Sequence, residues 1–325
     1  MSEQVNSYSA ITRRTFAGLA LIAMPAAAQS AFAQSAPPVA LATTGMIADL
    51  LRGVAGPAII TETLIGEGVD PHLFRPTRND IARILRANVI FYNGHRLEGR
   101  MHEVLERAAN QGRPALAVAE AIPRERLRQH EDYPDAADPH LWMDPMLWAE
   151  TLPAITATLG RLPRLNRDLA AGAAATHANL ARLDAYARDV LSPIPPERRI
   201  LVTAHDAFAY FGRRYGFQVE SIQGLSTEAE ASLARIEAMV RLIVGRRLPA
   251  IFTETSVPDR AVRALVEGVA AQRHQVALGG TLFSDSMGRP GTYRGTYEGM
   301  MDHNFTTIAR ALGGNPPARG MNGRL

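Results

Sequence analysis

The 325-residue sequence contains no cysteine and no lysine, and it has no apolar run of the ~20 residues that span a bilayer. Without cysteine the protein can form no disulfide and offers no thiolate, so any bound metal must be held by nitrogen and oxygen. Arginine supplies all of the basic side chains, and against 32 acidic residues the formal net charge is only +3. Such a small excess, without an arginine-rich run, gives no reason to expect nucleic-acid binding.

The N-terminus has the pattern of an export signal. Paired arginines at positions 13 and 14 precede a short apolar run, and an Ala-Phe-Ala sequence at 31–33 suits a signal peptidase. The arginine pair resembles a twin-arginine signal, which a receptor recognises and which does not serve as an anchor. We therefore expect residues 1–33 to be removed and the mature protein to be soluble in the periplasm. Because a lipobox cysteine is absent, we expect no lipid anchor.

The remaining 292 residues are too many for one ordinary core and predict two domains. Each half alternates short apolar runs with amphipathic stretches, which is typical of parallel sheets covered by helices. The predicted fold class is α/β, with two lobes that each contain a four-stranded parallel sheet flanked by helices, joined by one long rigid helix. We assign 34–160 to the N-terminal lobe, 161–193 to a long linking helix and 194–325 to the C-terminal lobe. The predicted strands are Val39–Thr43, Ile59–Leu64, Val89–Tyr92, Ala115–Val118, Ile200–Thr203, Gln218–Ile222, Ala250–Thr253 and Gln275–Leu278.

The linking helix is predicted from a run without proline between Asn166 and Leu191, in which apolar residues recur at helical spacing. A cluster of three prolines at 193–196 follows and ends it. A helix of that length spans about 39 Å. Because a helix is a stiff connection, unlike a glycine-rich linker, we expect a small tilt between the lobes and not a wide closure.

Three histidines and one aspartate stand at positions where a metal site could form. His72 and His140 each end an Asp-Pro-His tripeptide, in which proline fixes the backbone ahead of the histidine. His205 follows a predicted strand directly, and Asp285 follows the last predicted strand after a few residues. In open parallel sheets, ligands bind outside the carboxyl ends of the strands. Three imidazoles with one carboxylate suit zinc, and with a bidentate carboxylate they also suit manganese or iron.

The residues alone leave other roles open for these side chains. Histidines that cap helices or bond to the backbone would produce the same pattern, since none of the spacings is a local metal motif. Glu254 and Asp206 are candidate acceptors that would orient a ligand imidazole, or else helix N-caps. His130, in the charged loop before the second Asp-Pro-His, is at most an auxiliary metal contact.

The same loops carry a resemblance that covers nearly the whole mature chain. The segments at 42–49, 68–72, 138–145, 205–212, 223–228 and 295–300 contain, in order, the motifs of a known family. The sequence resembles the periplasmic solute-binding proteins of manganese and zinc ABC transporters, the cluster A-I or TroA-like family. The resemblance implies that His72, His140, His205 and Asp285 bind one divalent transition-metal ion, Mn²⁺ or Zn²⁺. It also implies two α/β lobes joined by one long helix.

By the same resemblance, the ion is cargo that a monomeric protein delivers to an ABC permease in the inner membrane. The loop at 120–137 is shorter than the histidine-rich loop of zinc-dedicated members, and many manganese members carry Glu at the place of His205. Imidazole-rich sites favour zinc intrinsically, because manganese binds most weakly in the divalent series. Twin-arginine export of folded protein favours manganese, since the metal could then be loaded in the cytoplasm.

Two alternative functions use the same ligands. A zinc hydrolase would hold a metal-bound water with a nearby base. Four protein ligands can close the metal shell, however, and the sequence has neither an HExxH helix nor a G-x-S-x-G elbow, so we expect no enzyme. A metal-storage or adhesin-type protein is the other alternative, and the absence of an anchor disfavours it.

Overall fold

Parallel strands flanked by helices make up the computed structural model, which describes residues 36–110, 112, 114–130, 133–163, 165 and 167–325. The predicted export signal lies outside the described residues. From Pro37 to Leu325 the chain forms one compact unit. Within this described part, no helix combines the length and the hydropathy that a membrane span would need.

The N-terminal lobe contains one parallel sheet of four strands in the order β2-β1-β3-β4. Its strands are β1 Val39–Ala42, β2 Ile60–Thr63, β3 Val89–Tyr92 and β4 Ala115–Ala117. Every pairing in it is parallel. Since parallel neighbours need a crossover connection, helices between successive strands cover the faces of the sheet.

The C-terminal lobe also has four strands, and all of their pairings are parallel. They are β5 Ile200–Thr203, β6 Gln218–Ser221, β7 Ala250–Glu254 and β8 Ala277–Leu282. In the described chain these strands form two hydrogen-bonded pairs, β5–β6 and β7–β8, with β5 lying beside β7. The predicted α/β fold class is confirmed, but the four-stranded sheet that was expected in this lobe is divided into two hydrogen-bonded pairs.

Ten α-helices accompany the strands in the described residues. They are α1 Gly45–Ala55, α2 Arg78–Arg86, α3 His102–Asn110, α4 Pro145–Ala149, α5 Leu152–Leu159, α6 Leu169–Leu191, α7 Ala209–Tyr215, α8 Leu233–Arg246, α9 Arg260–Ala271 and α10 Tyr297–Leu312. The 23-residue α6 links the lobes. It begins three residues later than predicted, because Asp168 is its N-cap and accepts a hydrogen bond from the backbone N–H of Ala171 at 2.9 Å.

The main hydrophobic core continues from one lobe into the other. Helix α6 packs against α1 and α4 of the N-terminal lobe and against α10 of the C-terminal lobe. Leu180, Leu183 and Ala187 on α6 belong to the same buried cluster as Trp142 and Phe305. This shared core explains why the described chain forms one compact unit, and it resists large rotation of one lobe against the other.

Close backbone packing between α6 and α1 depends on Gly172. A Cβ added at this position would lie 2.1 Å from the carbonyl oxygen of Val54, near the end of α1. That oxygen belongs to the backbone, so it cannot move away as a flexible side chain could. Gly245 of α8 provides a contrast, because an added Cβ there would meet no atom within 4 Å.

We expect Gly172→Ala to lower the free energy of unfolding by about 1–3 kcal/mol, because overpacking forces α6 away from α1. Helix propensity alone gives the opposite sign, with alanine better than glycine by about 1 kcal/mol. The matched control Gly245→Ala should therefore leave the protein unchanged or stabilise it by up to about 1 kcal/mol. Urea unfolding of both variants measures the two effects, and a Gly172→Ala protein that is more stable than the parent would contradict the packing account.

Candidate metal centre

Four loops at the carboxyl ends of strands bring the four predicted residues together. His72 lies in the loop after β2, and His140 lies in the long loop that connects β4 to α4. His205 comes two residues after β5, and Asp285 three residues after β8. Each lobe supplies two of the side chains, so the cluster lies between the two lobes. This agrees with the rule that ligands bind outside the carboxyl ends of the strands in open parallel sheets.

The potential ligand atoms of these residues all lie within 4.8 Å of one another. The Asp285 carboxylate is central, with its oxygens 3.7 Å from His72 Nε2, 3.5 Å from His140 Nε2 and 3.0 Å from His205 Nε2. Two atoms bound at about 2.1 Å to a tetrahedral centre lie roughly 3.4 Å apart. The spacing around Asp285 is therefore close to what a tetrahedral metal ion requires.

All four side chains are buried, with relative exposures of 4% for His72, 0% for His140 and His205, and 2% for Asp285. Among the described residues, the three Nε2 atoms and both Asp285 oxygens have no hydrogen-bond partner of good geometry. Buried polar atoms without a partner are costly and uncommon in folded proteins. A convergence of three imidazole nitrogens and two carboxylate oxygens, in which only the attraction between His205 and Asp285 offsets the burial, is the arrangement that a bound cation would satisfy.

Two of the imidazoles are hydrogen-bonded to carboxylates through Nδ1, the ring nitrogen that points away from the cluster. His140 Nδ1 lies 2.8 Å from Asp138 Oδ1, and His205 Nδ1 lies 2.5 Å from Glu254 Oε2. Glu254 also accepts a hydrogen bond from the backbone N–H of His205 at 2.9 Å. A carboxylate on Nδ1 fixes the ring so that Nε2 points into the site, and it makes the ring a better donor.

The expectation for these supporting carboxylates was half right. Glu254 orients His205 as expected, whereas the side chain of Asp206 accepts a hydrogen bond from Arg128 at 2.7 Å. The acceptor for His140 is Asp138, which the sequence analysis did not assign to that role. The repeated Asp-Pro-His tripeptide could have indicated this role of Asp138, because an aspartate two residues before a histidine can reach both the backbone N–H and the ring of that histidine.

Burial and charge act in opposite directions on the protonation of the cluster. Burial lowers the pKa of His72 to about 3, so this imidazole is neutral. Burial also lowers the pKa of His205, but the carboxylates of Asp285 and Glu254 outweigh it and hold that pKa well above its usual value. Burial raises the pKa of Asp285, and the neighbouring imidazoles, His205 first, outweigh this and hold it well below the usual range. Without metal, His205 and Asp285 therefore form a buried ion pair.

The loop that carries Asp285 is fixed from both lobes. Trp142 of the N-terminal lobe donates from Nε1 to the carbonyl of Ser284 at 2.8 Å. Asn304 of α10 donates to the carbonyl of Phe283 at 2.7 Å and accepts from its N–H at 2.9 Å. Because these bonds hold the backbone on the N-terminal side of Asp285, they set the position of its carboxylate.

His130 lies outside the group of four. Its side chain is buried, and its ring packs edge-on against Tyr133 with the centroids 4.8 Å apart. The group that could hold a metal contains only His72, His140, His205 and Asp285 among the described residues. An auxiliary contact from His130 stays a prediction.

Known proteins match this chain over most of its length. The family model described as zinc-uptake complex component A, periplasmic, matches residues 41–311. The zinc-binding protein TroA of Treponema pallidum is 43% identical over 277 residues, covering 85% of this chain and 89% of TroA. The manganese-binding lipoprotein MntA of Bacillus subtilis is 40% identical over 272 residues, covering 83% of this chain and 88% of MntA.

A solved structure gives the same result for the fold. The periplasmic zinc-binding protein TroA from Treponema pallidum matches with a TM-score of 0.81 at 42% identity, over 85% of this chain and 99% of that chain. The resemblance indicated by the sequence motifs is thus confirmed. The chain belongs to the family of periplasmic zinc-uptake component A proteins, the cluster A-I metal-binding components of ABC transporters.

Proposed function

We propose that the protein captures one divalent transition-metal ion between its lobes and delivers it to an ABC permease for uptake. His72, His140, His205 and Asp285 would be the ligands. The observation that carries the proposal is the buried convergence of three imidazoles and one carboxylate whose inner atoms have no hydrogen-bond partner of good geometry among the described residues. The metal would be cargo, held until the protein meets its permease.

Zinc and manganese are both supported as the cargo. One relative is named as zinc-binding and another as manganese-binding, and both are at least 40% identical to this chain. Three imidazole donors favour zinc, which binds such sites far more tightly than manganese. Export in the folded state would favour manganese, because the ion could then be loaded before the protein meets periplasmic zinc.

Carriage fits the donor set better than catalysis does. Four protein donors whose ligand atoms all lie within 4.8 Å of one another can complete the shell of a zinc ion, which would leave no position for a reacting water. Both oxygens of the Glu254 carboxylate are hydrogen-bonded to His205, one to its backbone N–H and one to Nδ1 of its ring. Glu254 is therefore not directed at an open coordination position, where a catalytic base would be needed. A zinc hydrolase that uses the same ligands is therefore disfavoured.

The proposed location and partners follow from the family and the sequence. Residues 1–33 would direct export by the twin-arginine route, and the mature protein would act in the periplasm as a monomer without a lipid anchor. We assign 34–160 to the N-terminal lobe, 161–193 to the linking segment and 194–325 to the C-terminal lobe. The permease in the inner membrane would receive the ion, and no nucleic acid is involved.

We expect His205→Ala to weaken zinc binding at least about 100-fold, because it removes a ligand together with the imidazole that pairs with both Glu254 and Asp285. Competition titration against a chelator measures the affinity. His177→Ala is the matched control, since His177 lies exposed on α6, and its affinity should equal that of the parent. Unchanged zinc affinity in His205→Ala would exclude the four-ligand site.

Metal binding should also release a proton. Near pH 7 the metal-free protein holds a proton on His205, because the neighbouring carboxylates raise its pKa, and a ligand imidazole must be neutral. Zinc should therefore displace about one proton, and its apparent affinity should fall about tenfold for each unit that the pH is lowered around neutrality. His72, with a pKa of about 3, adds nothing to this dependence.

Calorimetry in buffers of different ionisation enthalpy counts the released protons. Because the buffer takes up the released proton, the observed binding enthalpy should fall linearly as the ionisation enthalpy of the buffer increases, with a slope near minus one. A slope of zero at pH 7 would show that His205 is already neutral without metal and would contradict the ion pair with Asp285.

A further inference from the structure

The two Asp-Pro-His motifs share a hydrogen-bonding pattern that extends beyond the histidines. In each motif, one carboxylate oxygen accepts a hydrogen bond from the backbone N–H of the histidine two residues further on. The distance is 2.8 Å from His72 N to Asp70 Oδ1 and 3.0 Å from His140 N to Asp138 Oδ1. Such a local turn fixes the backbone at the histidine. The second oxygen of each aspartate then makes a bond that leads to the C-terminal lobe.

In the first motif, this second bond joins the lobes directly. Asp70 Oδ2 accepts a hydrogen bond from the hydroxyl of Thr227, which lies in the loop between β6 and α8. Thr227 is buried, whereas Asp70 is half-buried and borders a cavity of about 530 Å³. Because the acceptor is a carboxylate, the bond is stronger than one between neutral groups.

In the second motif, an arginine bridges the aspartate of the motif and a second aspartate in the C-terminal lobe. Arg128 Nη1 lies 3.3 Å from Asp138 Oδ2 and 2.7 Å from Asp206 Oδ2, and Asp206 directly follows His205. Tyr210 of α7 adds a second bridge between the lobes, because its hydroxyl donates to the carbonyl of Asp138 at 2.9 Å and accepts from the N–H of Arg128 at 3.1 Å.

Each motif therefore ties a histidine of the N-terminal lobe to the C-terminal lobe through its own aspartate. A metal ion that takes two ligands from each lobe favours the same closed arrangement. We propose that the Asp70–Thr227 pair and the Arg128–Asp206 pair, with Tyr210, are latches that hold the lobes closed over the ion. These positioning residues set the rate of metal release, and the inference rests on the proposed metal capture.

The latches should affect release and capture differently. A bond between the lobes that forms only after closure must break before the ion can leave, so it slows dissociation. It contributes little to the first encounter of the ion with an open cleft. Because Asp70 borders a cavity, water can replace the Thr227 hydroxyl once the lobes separate, which keeps the latch reversible.

The test is the rate of zinc dissociation from the full-length protein, followed by stopped-flow mixing with excess chelator. Thr227→Val keeps the shape of the side chain but removes the hydroxyl, and we expect dissociation about tenfold faster with association within about twofold of the parent. Thr227→Ser, which retains a hydroxyl, should restore slow release. Ser226→Ala is the matched control, because the Ser226 hydroxyl accepts a hydrogen bond from the N–H of Glu228 at 3.2 Å, within its own loop.

Tyr210→Phe tests the second latch independently and should also speed dissociation. Unchanged dissociation in both Thr227→Val and Tyr210→Phe, with the parent binding zinc, would overturn the latches and leave the metal site intact. A loss of affinity that arises wholly from slower association would overturn them too. A parent protein that binds neither zinc nor manganese would instead overturn the proposed function.

Discussion

The attraction between one buried carboxylate and three buried imidazoles is the interaction on which the site depends. Asp285 lies in the loop after the last strand of the C-terminal lobe, and its oxygens face histidines from both lobes at 3.0–3.7 Å. Such a group of polar atoms is unfavourable in a protein interior unless something satisfies it. The ion pair with His205 does so in part without metal, and a bound cation would do so fully. The surrounding hydrogen bonds keep the four side chains in place for this exchange.

The architecture explains how a small motion could open so enclosed a site. Helix α6 and the shared core oppose wide separation of the lobes, so the lobes can tilt but do not swing apart freely. The bonds of Asp70 and of Arg128 lie between the lobes beside the ligands. Breaking a few such bonds would free the ion without unfolding any element. This arrangement suits a protein that must hold its cargo firmly and still give it up to a partner.

Much of the fold could be predicted from the sequence, because short apolar runs and amphipathic stretches alternate regularly. Strands β3 and β5 lie where they were expected. Strand β8 was placed too early, since Gly279 and Gly280 interrupt its apolar pattern, and Gly280 has a φ of +136° that only glycine adopts readily. Helix α8 begins at Leu233, because Ser232 is its N-cap and accepts a hydrogen bond from the N–H of Arg235.

The metal ligands could be predicted from the sequence because each is marked by the residues next to it in the chain. The four candidate ligands stand out because each follows a strand, and family motifs surround most of them. Contacts between distant residues left no such signal. Thr227 is 157 positions from Asp70, and Arg128 is 78 positions from Asp206. Nothing in their immediate neighbours indicates these partners, so only the folded chain reveals them.

Anomalous X-ray scattering at the zinc edge, from crystals of the zinc-loaded protein, tests the central claim most directly. The account predicts one strong peak between the lobes, about 2.0–2.2 Å from the Nε2 atoms of His72, His140 and His205 and from a carboxylate oxygen of Asp285. A peak bound elsewhere, or a vacant cluster in protein that carries stoichiometric zinc, would contradict it.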